Sequence, residues 1–279
     1  MHPIIVAVDF SNTSIHALEY AIVLANRFKS DIILIWVDKL DSAEAIYPDS
    51  SNNVRNEAKK RFDELIEQYG KLLEKGLKID YKLRKGKIYH EVDGMARTLG
   101  ASMIVAGAHG ISGYEEFWIG SNAFKIVTYA SCPIITIRND FPILDKIDNI
   151  LVPIDSSVET LQKLPVIATL ALLFTSTVHL VATQYSQLKS IQRLAMKNAD
   201  AASHYLKKNN VNSLMDELVS NDITKAVIDY ATELDADLIG IMTEQETPVN
   251  ILLGPHAQRL INQSAVPVLS VHPQEHFSL

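Results

Sequence analysis

The chain has 279 residues, of which 47% are hydrophobic and 21% are charged, so its length and composition predict about two globular domains. Its formal net charge of -7 disfavours a general affinity for nucleic acid, because such proteins present basic faces to the phosphates. The single cysteine, Cys132, excludes an internal disulfide and a zinc site with four cysteine ligands.

The amino-terminal segment has no positively charged region of Lys or Arg ahead of its apolar run, so we expect a strand there rather than a secretory signal. The longest apolar stretch, 167–174, is shorter than the roughly 20 residues that a membrane-spanning helix needs. Together with the single thiol, these features favour a cytoplasmic protein without a membrane segment.

Strands and helices are predicted to alternate along the first half of the chain. Continuous apolar runs indicate strands buried on both faces, and apolar residues spaced by three and four indicate helices. The predicted order is strand 4–9, helix 14–28, strand 31–37, helix 53–74, strand 79–84, helix 88–99, strand 103–106, helix 122–130 and strand 133–137. This alternation predicts an α/β fold with a doubly wound parallel sheet.

Three segments of the first half recur in the second half in the same order. The pairs are 4–11 with 150–157, 96–104 with 231–239, and 132–137 with 266–271. Such a repeat predicts a tandem duplication. A polar connector broken by Pro142 separates domains that we expect at 1–140 and 147–279, packed together.

A candidate ligand site lies beyond the predicted carboxyl ends of the strands, where doubly wound folds bind ligands. Asp9 ends the first strand; Gly107 and Gly110 follow the fourth strand; Gly120 and Ser121 open the next helix. Glycines permit close backbone approach, and a helix N-terminus offers free N–H groups and the positive end of a dipole. We therefore expect an anion at this loop, with Asp9 accepting hydrogen bonds from hydroxyl or amino groups.

The pattern Gly-x-x-Gly, nine residues and then Gly-Ser resembles the ATP-binding signature of the universal stress protein family. Three further segments are similar to the family's first strand and turn, its strand-four motif and its last strand: 8–14, 106–110 and 131–135. The resemblance covers nearly all of the first copy and the beginning, fourth strand and end of the second. Tandem members are known in this family, in agreement with the duplication.

The resemblance implies two five-stranded sheets in the order 3-2-1-4-5, paired as in a family dimer. It also implies binding of ATP or a related adenine nucleotide, with or without Mg²⁺. Adenine would lie near Asp9, Trp36 and Val37. Trp36 departs from the small aliphatic residue usual in the family, and it would either stack on adenine or partly fill the pocket.

The same resemblance assigns the remaining nucleotide contacts to the loop. Gly107 and Gly110 would contact ribose and phosphates, and Gly120, Ser121 and Asn122 would hold the other phosphate oxygens. Structural explanations remain open for these positions: the glycines could form a tight turn or cap the helix, Asp9 could cap its own turn, and Trp36 could belong to the core.

The second copy lacks this motif. Its counterpart loop has lost the first two glycines, Pro255 replaces the serine and removes an N–H group, and Glu244 and Glu246 would repel phosphate. Asp155 is retained at the end of the first strand. We expect no nucleotide in this copy, which would serve as a structural or regulatory partner.

The sequence offers no signature of catalysis or of a metal site. The nine histidines show no metal-binding spacing, and the nucleophile elbow and the P-loop lysine are absent. We expect a stress-response regulatory protein that binds a nucleotide and hydrolyses ATP slowly at most. Its expected partners are an adenine nucleotide and a protein partner or a second copy, not a membrane or nucleic acid. The alternatives are an interaction module without nucleotide and, third, a true enzyme such as an ATPase.

Overall fold

The computed structural model of the chain describes residues 2–38, 48–108, 120–184, 188–243 and 254–273, without the side chains of 48–52. Contacts divide the chain into two units, Met1–Asn139 (unit one) and Asp140–Leu279 (unit two). Each unit is described by itself below.

The described part of unit one contains five strands and four α-helices. They are β1 (Ile4–Ala7), α1 (Asn12–Phe28), β2 (Ile32–Asp38), α2 (Pro48–Tyr69), β3 (Ile79–Lys85), α3 (Ile88–Leu99), β4 (Met103–Gly107), α4 (Ser121–Tyr129) and β5 (Ile134–Ile137). β1, β4 and β5 are buried along nearly their whole length, as their unbroken apolar runs predict. α1 begins after Ser11, whose hydroxyl accepts a hydrogen bond from Ser14 N.

The sheet of unit one has the strand order β3-β2-β1-β4-β5, which confirms the predicted order, and its strands are parallel. β1 lies at the centre, with Ile4 beside Ile32 on β2 and beside Met103 on β4. β2 and β3 are added on one side of β1, and β4 and β5 on the other, so the strand order reverses between β1 and β4. Right-handed crossovers then place α1 and α2 on one face and α3 and α4 on the other.

Unit two repeats this architecture. Its elements are β6 (Asn149–Ile154), α5 (Leu164–Phe174), β7 (Thr177–Gln184), α6 (Lys189–Lys208), β8 (Asn212–Val219), α7 (Ile223–Glu233), β9 (Leu238–Met242), α8 (Pro255–Gln263) and β10 (Val268–Val271). The order β10-β9-β6-β7-β8 is that of unit one, counted from the opposite edge. In the part of the chain that the structure describes, no helix has both the length and the apolar character needed to cross a bilayer.

The end of α2 differs from its prediction. The pattern predicts a helix over 53–74, but the α-helix ends at Tyr69 and a 3₁₀ turn covers Gly70–Leu72. Gly70 weakens the helix at this point. The Asn26 side chain holds the departing chain: its Nδ2 donates to Leu72 O at 3.0 Å, and its Oδ1 accepts from Glu74 N at 2.9 Å.

At one contact between a helix and a strand, the two units place the large and the small residue on opposite elements. A Cβ atom on Gly240 of β9 would lie 2.4 Å from Cδ1 of Ile167 on α5. The equivalent positions of unit one hold Val105 on β4 and Ala21 on α1, so the larger side chain is on the strand there. All three side chains are fully buried.

Candidate functional site

Asp9 follows β1, and its carboxylate holds the turn into α1. Oδ1 accepts hydrogen bonds from Ser11 N at 3.1 Å and Ser11 Oγ at 2.6 Å, while Asp9 N donates to Ser14 Oγ at 3.3 Å. This is the structural role that a side chain of this type has at a turn. Oδ2 makes no hydrogen bond with any described residue, so one acceptor atom remains for a ligand.

Gly107 ends β4 and touches the first turn of α1. A Cβ atom there would lie 2.7 Å from Thr13 Cγ2 and 2.9 Å from Thr13 O, closer than such atoms approach in proteins. Any other residue would push the strand and the helix apart. Gly107 is therefore required by packing, whether or not a ligand approaches it.

Gly120 brings the N-terminus of α4 back to the end of β4. Its N–H donates to Ala108 O at 2.8 Å, and Ala108 N donates to Ile137 O on β5 at 2.8 Å. The first turn of α4 carries no acidic residue, and the side chains of Ser121 and Asn122 are exposed. The leading N–H groups of α4 have no acceptor within the helix, so this end is polarised positively.

These contacts gather most of the predicted nucleotide residues at one place. Asp9 is linked through the α1 turn to Thr13, Thr13 touches Gly107, and Gly120 bonds to the residue that follows Gly107. These residues thus lie over the ends of β1 and β4, where the strand order reverses. Gly110, also predicted to bind nucleotide, lies outside the described residues.

Trp36 and Val37 are both half-buried near the end of β2, but successive residues of a strand face opposite sides. Trp36 lies beside Leu83, two residues after Tyr81, whose ring stacks on Phe62 of α2 at 4.8 Å. Trp36 therefore faces the layer of α1 and α2, and Val37 faces the layer of α3 and α4. A ligand on one face of the sheet would contact the side chain of only one of them.

Phe10, next to Asp9, has a structural role that the sequence patterns did not indicate. Its φ is 63°, in the left-handed region that costs a bulky residue on the order of 1 kcal/mol. Its ring lies 4.8 Å from the ring of Phe62, and the Arg61 guanidinium lies 5.5 Å above it. These contacts offset the strain and attach the turn after Asp9 to α2.

A second residue that sequence reasoning missed is Lys163 in unit two. It is 2% exposed, and its Nζ donates to Thr160 O at 2.8 Å and to Thr160 Oγ1 at 3.2 Å. Burial lowers the pKa of this ammonium to about 8, although the charge of Asp155 acts in the opposite direction. Lys163 stands eight residues after Asp155, as the buried Ala17 stands after Asp9.

The residue that precedes α8 in unit two has the same backbone conformation as its equivalent before α4, but the first turn of α8 has lost an N–H donor. Gly254 precedes α8 with φ -58° and ψ 153°, close to the -57° and 143° of Gly120 before α4. Pro255 then occupies the position of Ser121 and has no N–H group. Met242 replaces Gly107 at the end of the preceding strand. The loop carrying Glu244 and Glu246 lies outside the described residues.

Cys132 precedes β5 and is shielded from solvent on most sides. Burial, aided by the nearby Asp93 carboxylate, raises the pKa of its thiol to about 12. Such a thiol carries almost no thiolate at neutral pH and is unreactive. The described residues contain no group of three or more His, Cys, Asp or Glu side chains placed to hold a metal ion.

Comparison with known proteins agrees with this architecture. The sequence model of the universal stress protein family matches residues 1–138 and 146–272. Over 147 residues, 48% of this chain and 97% of the relative, the chain is 31% identical to universal stress protein YxiE of Bacillus subtilis. A solved universal stress protein from Archaeoglobus fulgidus shares its fold over 97% of this chain and 98% of its own, with a TM-score of 0.79 and 17% identity. The chain therefore belongs to the universal stress protein family and carries two copies of its domain.

Proposed function

We propose that unit one binds ATP or a related adenine nucleotide and that this binding regulates the part that the protein takes in a stress response. The observation that carries the proposal is the hydrogen bond from Gly120 N to Ala108 O. It sets the exposed start of α4 beside the end of β4, so that the free N–H groups and the helix dipole face the position expected for phosphates.

The side chains at this position fit a nucleotide. Ser121 and Asn122 are exposed donors at the positive end of α4, which suits phosphate oxygens. The unengaged Oδ2 of Asp9 suits a ribose hydroxyl or an adenine amino group. We assign the phosphates to the N-terminus of α4 and the nucleoside to the ends of β1 and β2, near Asp9 and either Trp36 or Val37.

Unit two is proposed to remain without nucleotide. Pro255 withdraws one of the N–H donors, and the buried Lys163 ammonium beside Asp155 replaces the neutral Ala17 of unit one. We infer a structural or regulatory role for this unit.

Binding rather than turnover is the proposed activity of unit one. The sequence from 107 to 122 contains neither lysine nor arginine. Phosphoryl transfer requires neutralisation of the charge that develops on the phosphate oxygens. Any hydrolysis of ATP would therefore be slow, and the bound nucleotide would act as a signal and not as a substrate.

Gly120→Asp tests this assignment without damaging the fold. The backbone of Gly120 suits any residue, and aspartate is a favoured N-cap, so α4 should stay intact. The new carboxylate would repel the phosphates and cover the donors. We expect titration calorimetry with ATP and Mg²⁺ to show one site per chain in the wild-type protein and none in this variant.

Gly254→Asp is the matched control, because it places the same charge on the same cap in unit two. Its affinity for ATP should equal that of the wild type. Unchanged affinity in Gly120→Asp, or a loss confined to Gly254→Asp, would contradict the assignment. No heat with ATP and no nucleotide in the mass spectrum of the denatured wild-type protein would favour an interaction module without nucleotide.

A further inference from the structure

Unit two contains a cavity near the ends of β7 and β8, away from β6 and β9, where its strand order reverses. The cavity has a volume of about 450 Å³, within the range of small-molecule sites. Gln184 at the end of β7 and Glu217 near the end of β8 line it, and the remaining lining residues belong to α6. No residue of β6, β9 or α8 takes part, so the cavity has no counterpart of Asp9, Gly107 or Gly120 and shares only the end of β7, the equivalent of β2, with the region that corresponds to the proposed nucleotide site.

Three cations of α6 line the cavity: Lys189, Arg193 and Lys197. They are four residues apart, which places them on one face of the helix, about 6 Å apart along its axis. All three are exposed, and none forms an ion pair with a described residue. The cavity therefore presents a row of three positive charges along α6, against the two carboxylates of Glu217 and Asp200.

This arrangement weakens α6 when nothing is bound. Like charges four residues apart on a helix repel each other. Lys189 is also the first residue of α6, where a cation opposes the helix dipole, and the first turn contains no acidic residue to offset it. An anion in the cavity would relieve both penalties and would also face the positive end of the helix.

Carboxylates of the same cavity restrict which anion fits. Glu217 and Asp200 line it together with the cations, and Glu217 Oε2 accepts a hydrogen bond from Gln184 Nε2 at 3.1 Å. A carboxylate can accept several hydrogen bonds, so acceptor positions remain for hydroxyl groups. Both carboxylates are exposed, so a compact anion would engage only the cations, whereas a ligand that also carries hydroxyl groups would donate to these acceptors as well.

We propose that this cavity binds a small phosphorylated polyol. The phosphoryl group lies against Lys189, Arg193 and Lys197, and the hydroxyl groups donate to Glu217 and Asp200. The apolar side chain of Met196, which also lines the cavity, contacts the carbon skeleton. The proposal is independent of nucleotide binding in unit one, because no residue is shared between the two sites.

Titration calorimetry of the full chain with three probes tests the chemistry: ribose 5-phosphate, inorganic phosphate and ribose. We expect ribose 5-phosphate to bind at least about tenfold more tightly than phosphate, ribose to give no heat at the same concentration, and added salt to weaken binding. Equal affinity for ribose 5-phosphate and phosphate would overturn the polyol part, and no heat with any probe would overturn the whole proposal.

Two double variants locate the site. Arg193→Gln with Lys197→Gln should weaken ribose 5-phosphate binding at least about tenfold, because it removes two charge-assisted contacts. Lys207→Gln with Lys208→Gln makes the same charge change about 20 Å along the axis of α6 and should leave the affinity unchanged. An equal loss in both double variants would show a general charge effect and contradict the site.

The Gly120→Asp variant separates this proposal from that for unit one. It should bind ribose 5-phosphate as well as the wild type does, whatever it does to ATP binding. Loss of ribose 5-phosphate binding in Gly120→Asp would place the sugar phosphate in unit one and overturn the assignment to α6.

Discussion

Replacing the buried Lys163 by methionine should change how the stability of unit two depends on pH. Methionine is also long and unbranched but has no charge, so it can fill the same space. The wild-type ammonium has a pKa lowered from 10.5 to about 8 in the folded state. Between these two values the unfolded chain binds more protons than the folded one, so this lysine makes stability rise with pH over that window. Below pH 8 both states are charged, and its burial penalty is fully present.

The size of the effect follows from the shift in the pKa. A shift of about 2.5 units corresponds to about 3 kcal/mol at 1.36 kcal/mol per unit. At pH 7.5 the variant gains this amount and loses the hydrogen bonds to Thr160, which cost about 1–3 kcal/mol to leave unmade. At this pH the free energy of unfolding of the variant should therefore equal or slightly exceed that of the wild type. Between pH 7.5 and 10.5 the wild type should gain about 3 kcal/mol relative to the variant.

The difference between the two proteins is the quantity to measure. Tyr230 acts in the opposite direction: burial and the hydrogen bond to Asp216 raise its pKa to about 12, which makes stability fall as pH rises. Because this contribution is common to both proteins, it cancels in the difference.

Urea unfolding followed by circular dichroism at several pH values gives the free energy of unfolding. Trp36 and Trp118, the only tryptophans, both belong to unit one, so their fluorescence reports that unit separately and should not depend on the substitution. A difference that stays constant within about 1 kcal/mol from pH 7.5 to 10.5 would refute a buried, charged Lys163.

Two further predictions concern unit one. Gly107→Ala should destabilise the unit by about 1–3 kcal/mol in urea unfolding, because its Cβ would overlap Thr13. Gly94→Ala, on α3 with nothing near its added Cβ, should stabilise it by about 0.5–1 kcal/mol, and equal effects of the two changes would contradict the packing explanation. The Cys132 thiol should react with a thiol reagent at pH 8 about a thousandfold more slowly in the folded protein than in urea, since its pKa is about 12 and not 9. Comparable rates would exclude the buried position beside Asp93.

The sequence was sufficient for the fold because its signals are local and are repeated. The apolar run that begins at Ile4 and the run that begins at Ile150 both predict buried central strands, and β1 and β6 are central in their sheets. The end of α2 was missed, because the bonds of Asn26 to residues 72 and 74 join positions far apart in sequence.

The candidate site was only partly predictable for the same reason. The spacing of Gly107 and Gly120 indicated the loop, but not that Thr13 makes Gly107 obligatory through packing alone. Lys163 gave no sign of burial, since lysines are rarely enclosed without a partner. The α6 cavity depends on Gln184 and Glu217, which neighbouring strands bring together across 33 positions.

The exchanged core residues of the two units also distinguish the halves of the repeat during folding. A chain with two similar domains risks pairing α1 with the strands of unit two, or α5 with those of unit one. Ile167 against Val105 would be overpacked, and Ala21 against Gly240 would leave a cavity. Either mismatch costs on the order of 1–3 kcal/mol. The larger residue of the pair is Ile167 on the helix in unit two and Val105 on the strand in unit one. This difference disfavours a domain assembled from a helix of one unit and a strand of the other.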